Sequence, residues 1–232
     1  MSSVALVMIP PMLCDARAFA PQLASLSRRH AVMVAPNACG ERMEEIASQI
    51  LMSAPQRFAL AGAGFGGMVA LEIVRRASER VTKVALIHTN AQADTPEMSA
   101  AREPQIIAAR AGRWDDVLAQ EIDVSRLGET SQRAQVLAQL KEMAKDAGAE
   151  TFVRQARALQ RRRDQQPTIR ATRQPALVIC GGSDPQSPVK RHAFLAELLP
   201  SAQLSVIEDA GFVPMLEAAG EVTAALESWL VA

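Results

Sequence analysis

The chain has 232 residues, 49% of them hydrophobic, enough to fill one sizeable core. At roughly 100–200 residues per domain, one domain with an insertion is as expected as two. Lys plus Arg equals Asp plus Glu at 25 each, which argues against nucleic acid or an anionic membrane surface as a partner. Cys14, Cys39 and Cys180 are scattered and lack metal-ligand spacing. That pattern points to a reducing, cytoplasmic setting with no disulfide framework and no metal site.

The first apolar run, Val4–Ile9, is stopped by Pro10-Pro11. It is too short for a signal core or a membrane span and suits a buried strand. Along the chain the strands expected are Val4–Ile9, His30–Ala35, Arg57–Ala61, Val81–Ile87, Ala176–Cys180 and Gln203–Ile207. Helical periodicity falls on Ala16–Arg28, Met43–Met52, Gly66–Arg76, Lys190–Leu199 and Glu221–Leu230. The first strands are apolar on both faces, as parallel strands covered by helices must be. The alternation implies an α/β fold: a doubly wound, mostly parallel sheet of about six strands with right-handed connections. From about Ala93 to Thr172 no strand is expected, only Ala100–Ala111, Trp114–Glu121, Gln132–Ala147 and Thr151–Arg162, with Gly112, Gly128 and Gly148 between helices. About 80 residues are too many for a plain loop. Residues 93–172 therefore read as an inserted helical cap, and 1–92 with 173–232 as the core. Arg161-Arg162-Arg163 reads as a solvated helix end, with an anion site as the alternative.

The most informative segment is Phe58-Ala-Leu-Ala-Gly62-Ala-Gly64-Phe65-Gly66-Gly67, a strand that runs through glycines directly into a helix. Gly62, Gly64 and Gly67 satisfy the dinucleotide pattern G-x-G-x-x-G. However, the next strand ends in His88-Thr89-Asn90 with no acid for a ribose, and the turn follows the third strand of the chain. The other reading is the nucleophile elbow G-x-S-x-G, in which small residues let strand and helix approach closely. Gly62 and Gly66 take both flanking positions, and the central one is Gly64.

With the Ile9-Pro-Pro-Met-Leu-Cys-Asp15 loop, this elbow and two C-terminal loops in order, the chain resembles the α/β-hydrolase superfamily in its compact, capped form. The likeness spans essentially residues 4–230. It implies that Gly64 stands where the family has its attacking serine. Cys180-Gly-Gly-Ser-Asp184-Pro matches the acid loop, with Asp184 as the acid. In Glu208-Asp-Ala-Gly211-Phe212, Phe212 occupies the position of the general-base histidine. The oxyanion donors carry over to the backbone N–H groups of Phe65 and Met12. One triad side chain of three survives, so acyl-enzyme chemistry has no carrier at these positions. Glycine at a strained turn removes steric cost, and phenylalanine replaces a proton shuttle by apolar filling.

Other groups near the strand C-termini come into question. Cys14 with His88 would make a sensible nucleophile and base, although Cys14 as a packing residue is the plainer reading. Met12 and Met215 are candidates to line a pocket, and His30 and His192 to lie at the surface. The leading expectation is a hydrolase-family protein with a degenerate triad. It would bind a small apolar acyl or carbonyl compound beneath the cap, with weak or no ester hydrolysis, no cofactor and no metal, and a homodimer left open. The alternatives are an enzyme using Asp184 and the oxyanion donors for non-triad chemistry (lyase, cyclase or isomerase type), and a non-enzymatic interaction module.

Overall fold

The computed structural model describes residues 4–232. Six strands, β1 (Ala5–Ile9), β2 (Val32–Val34), β3 (Phe58–Ala63), β4 (Val81–Ile87), β5 (Ala176–Gly181) and β6 (Ala202–Ile207), form one sheet in the order β2-β1-β3-β4-β5-β6. Every neighbouring pair is parallel. The strand period of two divides the core into two apolar layers. Leu6, Met8, Ala59 and Ala61 face one layer, while Val7, Ile9, Phe58 and Leu60 face the other.

Helices α1 (Ala20–Leu26) and α11 (Ala219–Val231) lie on the first side; Leu26, Val222 and Leu226 join its layer. Helices α2 (Met43–Ser53) and α3 (Phe65–Ala77) cover the second through Ile46, Ile50, Val69 and Ile73. Between β4 and β5 all the described regular structure is helical. It comprises α4 (Pro96–Ala101), α5 (Glu103–Arg110), α6 (Trp114–Glu121), a 3₁₀ turn at Val124–Arg126, α7 (Arg133–Arg161) and α8 (Gln166–Ala171). Ile106, Leu118, Leu140 and Phe152 from this stretch share the apolar layer of Leu6 and Met8. After β5 come α9 (Val189–Leu198) and, past β6, the short α10 (Pro214–Glu217).

Three helices differ from expectation, and two differences trace to proline, which has no N–H to continue a helical ladder. The run expected over Ala16–Arg28 is a 3₁₀ turn, Ala16–Phe19, followed by α1 with Pro21 in its first turn. The run over Ala100–Ala111 is broken at Arg102, with Pro104 opening α5. The helices expected on either side of Gly148 are one, α7, bent at that glycine (φ 76, ψ 170).

Candidate functional site

β3 turns into α3 through Gly64, whose φ of 51 and ψ of −117 lie where L side chains are strained. The turn is held by Gly64 N–H donating to Ile87 O (2.9 Å) and by Thr89 Oγ1 donating to Gly64 O (2.6 Å). The flanking glycines are needed for another reason. A Cβ on Gly62 would run into the Gly66 carbonyl, and one on Gly66 into the carbonyls of Ile9 and Pro10. Gly64 differs: its Cβ would meet only Pro11, at 3.6 Å from Pro11 Cβ. Space for a side chain is present above the turn, but the side chain is not. Neither the Phe65 nor the Met12 N–H has a protein acceptor among the described residues, so both donors assigned by resemblance are free.

Asp184, which the resemblance puts in the acid position, is fully enclosed and bonds to three neighbours. His88 Nε2 lies 2.9 Å from its Oδ2 and Arg126 Nη2 2.8 Å from the same oxygen, while Gln186 N–H donates to Oδ1 at 2.9 Å. Burial opposes ionisation, but the His88 and Arg126 hydrogen bonds outweigh it and hold the carboxyl well below the usual range. His88 itself has a positive φ of 44. Its Nδ1 accepts the Gly181 N–H at 3.3 Å, which leaves the proton on Nε2 facing Asp184. With both ring nitrogens engaged, His88 has no lone pair to offer a nucleophile.

Phe212 is more than filling. The Arg126 guanidinium lies over its ring, 4.5 Å from the centroid, and Phe212 N–H donates to Arg126 O at 3.0 Å. The loop of Asp184, Phe212 and the 3₁₀ turn before α7 thus form one unit, Asp184–Arg126–Phe212.

Two buried side chains that the sequence did not single out set the loops around this unit. Gln155 of α7 accepts from Leu13 N–H (3.0 Å) and donates to Asn37 Oδ1 (3.0 Å), while Asn37 donates to Pro10 O (2.7 Å). These bonds pin the loop after β1 that carries Met12. Glu217 accepts from the N–H groups of Gly128 (2.7 Å), Gly211 (2.9 Å) and Val213 (3.0 Å). It fastens the segment after Arg126 to the loop that carries Phe212.

Above Gly64 lies a cleft of about 290 Å³ lined by Met12, Phe65, His88 and Phe212 among others. The sequence reading of its contents needs four corrections. Cys14 opens into a separate recess with Pro36, Met143 and Thr151, because Leu13 turns the backbone at φ 58. Burial, then the charge of Asp15, pushes the Cys14 thiol up to about 12, so no Cys14–His88 pair is assembled. Met215, expected at the pocket, is wholly enclosed in the core. His192, expected at the surface, is also wholly enclosed, with its ring 4.6 Å from that of His88. Finally, the lining is not predominantly apolar, since Arg102, Arg126, Arg162 and Arg191 all reach it. Of the triple-arginine run, Arg161 and Arg163 pair with Glu41 and Glu44 near the surface, whereas the side chain of Arg162 is 6% exposed and pairs with Asp94 at 2.9 Å.

A glycine-lined elbow below a cleft, at the C-terminal edge of a parallel sheet, is the layout of hydrolases that raise a nucleophile above the sheet. The chain belongs to the α/β-hydrolase family, whose sequence model matches residues 8–226. It is 28% identical over 196 residues to a pimeloyl-[acyl-carrier protein] methyl ester esterase of Aromatoleum aromaticum, covering 76% of this chain and 75% of that one. Among solved structures it is similar to a thermophilic esterase from Thermogutta terrifontis, solved with malate bound, at a TM-score of 0.88. That match has 24% identity and covers 99% of this chain and 90% of the other. The enol-lactonase of Burkholderia xenovorans superposes at a TM-score of 0.84 with 22% identity, covering 99% and 92%. At such identities the two structures speak for the fold alone.

Proposed function

We propose that this α/β-hydrolase-family protein binds a small acyl- or carbonyl-bearing compound over Gly64 and hydrolyses esters weakly or not at all. The observation that carries the reading is the pairing of an intact elbow, with room above it, with the loss of both reacting side chains. Gly64 supplies no hydroxyl and Phe212 no imidazole, and the one histidine bordering the cleft beside the elbow, His88, is engaged at both nitrogens. Free Met12 and Phe65 N–H groups still suit a carbonyl oxygen, the purpose of an oxyanion hole. Positioning and such donors alone leave at most roughly 10³–10⁴-fold over water in enzymes stripped of their triad.

The open cleft also speaks against a pure interaction module, for which large side chains would fill the space. Asp184 does not suit a lone base, because two cationic or donating partners stabilise its ionised form. Incubation with p-nitrophenyl esters and with a fluorophosphonate probe tests the proposal. The expected result is slow or absent turnover and no covalent adduct; rapid turnover or stoichiometric labelling would overturn it.

A further inference from the structure

The cleft departs from a neutral ester pocket in its charge. Four guanidiniums reach it, from Arg102, Arg126, Arg162 and Arg191, and Glu121 is the carboxylate on the lining. Behind them stand two more carboxylates, each already committed. Asp94 takes Arg102 Nε at 2.8 Å and Arg162 Nη2 at 2.9 Å, and Asp184 takes Arg126. Asp123 stands near Arg126 as well, but on the lining itself four guanidiniums meet one carboxylate, in a partly enclosed space where charge interactions are poorly screened. Burial also pushes the Glu121 carboxyl up, against the pull of Arg102 and Arg126.

Donors are unused as well. Arg102 bonds through Nε only, so both of its terminal nitrogens lack a protein partner among the described residues, and Arg126 engages Asp184 through Nε and Nη2, leaving Nη1. Arg162 gives Nε to Gln92 O at 2.8 Å, and its enclosed Nη1 has no partner among the described residues. A guanidinium fork is shaped for a two-oxygen anion, and buried unpaired donors are uncommon in folded proteins. The rest of the lining includes Met12, Met68, Ile122 and Leu159, which suits a carbon skeleton more than a bare inorganic ion.

We infer that the ligand of this cleft carries a carboxylate, received by Arg102 and Arg126 with Arg162 behind them, beside the acyl or carbonyl group held over Gly64. This rests on the binding reading above and specifies its ligand as an organic acid. On this view Phe212 is the platform that holds Arg126 where the family has its base, so the lost triad position serves an anion.

The test is calorimetric titration of the full chain with four-to-seven-carbon dicarboxylates, their dimethyl esters and inorganic phosphate, at low and high salt. The expected order is dicarboxylate first, with affinity falling as salt rises. Arg102→Gln and Arg126→Gln should each weaken it by about tenfold or more, and Arg126→Lys by less. Circular dichroism melting identifies any variant that fails to fold, in which case Arg102→Gln, on a partly exposed side chain, carries the test. Diesters binding as tightly as diacids, or unchanged affinity in Arg102→Gln, would overturn the carboxylate assignment while leaving the binding reading intact. Phosphate binding more tightly than any diacid would overturn it too, as would no binding by any of the three. Ester turnover or fluorophosphonate labelling would instead defeat the degenerate-triad reading, whatever the titrations show.

Discussion

Replacing Gly64 by serine places a hydroxyl at the elbow, and the structure sets both its thermodynamic and its chemical consequences. Sterically the change is permitted, since the new Cβ would sit 3.6 Å from Pro11 Cβ, an ordinary contact. The cost is conformational. At φ 51 and ψ −117 a non-glycine residue carries about 1–3 kcal/mol of strain, and loss of glycine's unfolded-state freedom returns about 0.4–1 kcal/mol. The net is destabilisation of about 1–2 kcal/mol, or roughly 2–8 °C in Tm for a domain of this size. Gly66→Ala is the comparison. Its Cβ enters the carbonyls of Ile9 and Pro10, so backbone must move and the loss should exceed that of Gly64→Ser. Differential scanning calorimetry of the two variants reads the difference. The second readout is fluorophosphonate labelling of Gly64→Ser, expected to stay slow because His88 has no free nitrogen. Equal destabilisation by the two variants would refute the steric argument, and rapid labelling the electronic one.

Asp184→Asn should cost about 3 kcal/mol, because it leaves Arg126 without its buried counter-charge. It should also flatten the acid limb. The native carboxyl is held below its ordinary value of 3.8, so its contribution is present above that pH and lost as pH falls through the native value; urea titrations from pH 6 to pH 2 would show it. Burial, and then the neighbouring His88, lowers the pKa of His192 from 6.5 to about 4. The unfolded chain therefore takes up this proton first on acidification. Stability should fall by roughly 1.4 kcal/mol per pH unit between 6.5 and 4, and His192→Phe should remove that slope. Glu217→Ala strands three buried N–H groups and should cost about 3 kcal/mol or more. Hydrogen exchange should then rise at Gly128, Gly211 and Val213; unchanged protection there would count against the clamp.

The sheet was legible because its strands are short apolar runs set between periodic helices, and the elbow because glycine must stand wherever strand and helix touch. Val81–Ile87 and Trp114–Glu121 have the bounds expected of them. What the sequence hid was contact between distant segments. Arg126 sits in a 3₁₀ turn 58 residues before Asp184, in a stretch with no repeating pattern to give its register. Gln155 and Glu217 look like surface residues of amphipathic helices, and only the fold shows that each ties two loops. Arg162 stands out within its run, but that it alone turns inward depends on Asp94, which sequence spacing does not relate to it.

The Glu217 clamp has a consequence for how anything reaches Gly64. It joins Gly128 to Gly211 and Val213, and a side chain on Gly211 would strike the carbonyl of Arg126. The wall of the cleft formed by Arg126 and Phe212 is therefore braced from behind by Glu217 of α10. Half-exposed Met98 of α4 and exposed Arg191 of α9 border both the cleft and a larger outer groove. Because cleft and groove share these residues, a compound too long for the cleft has the groove beside it to extend into.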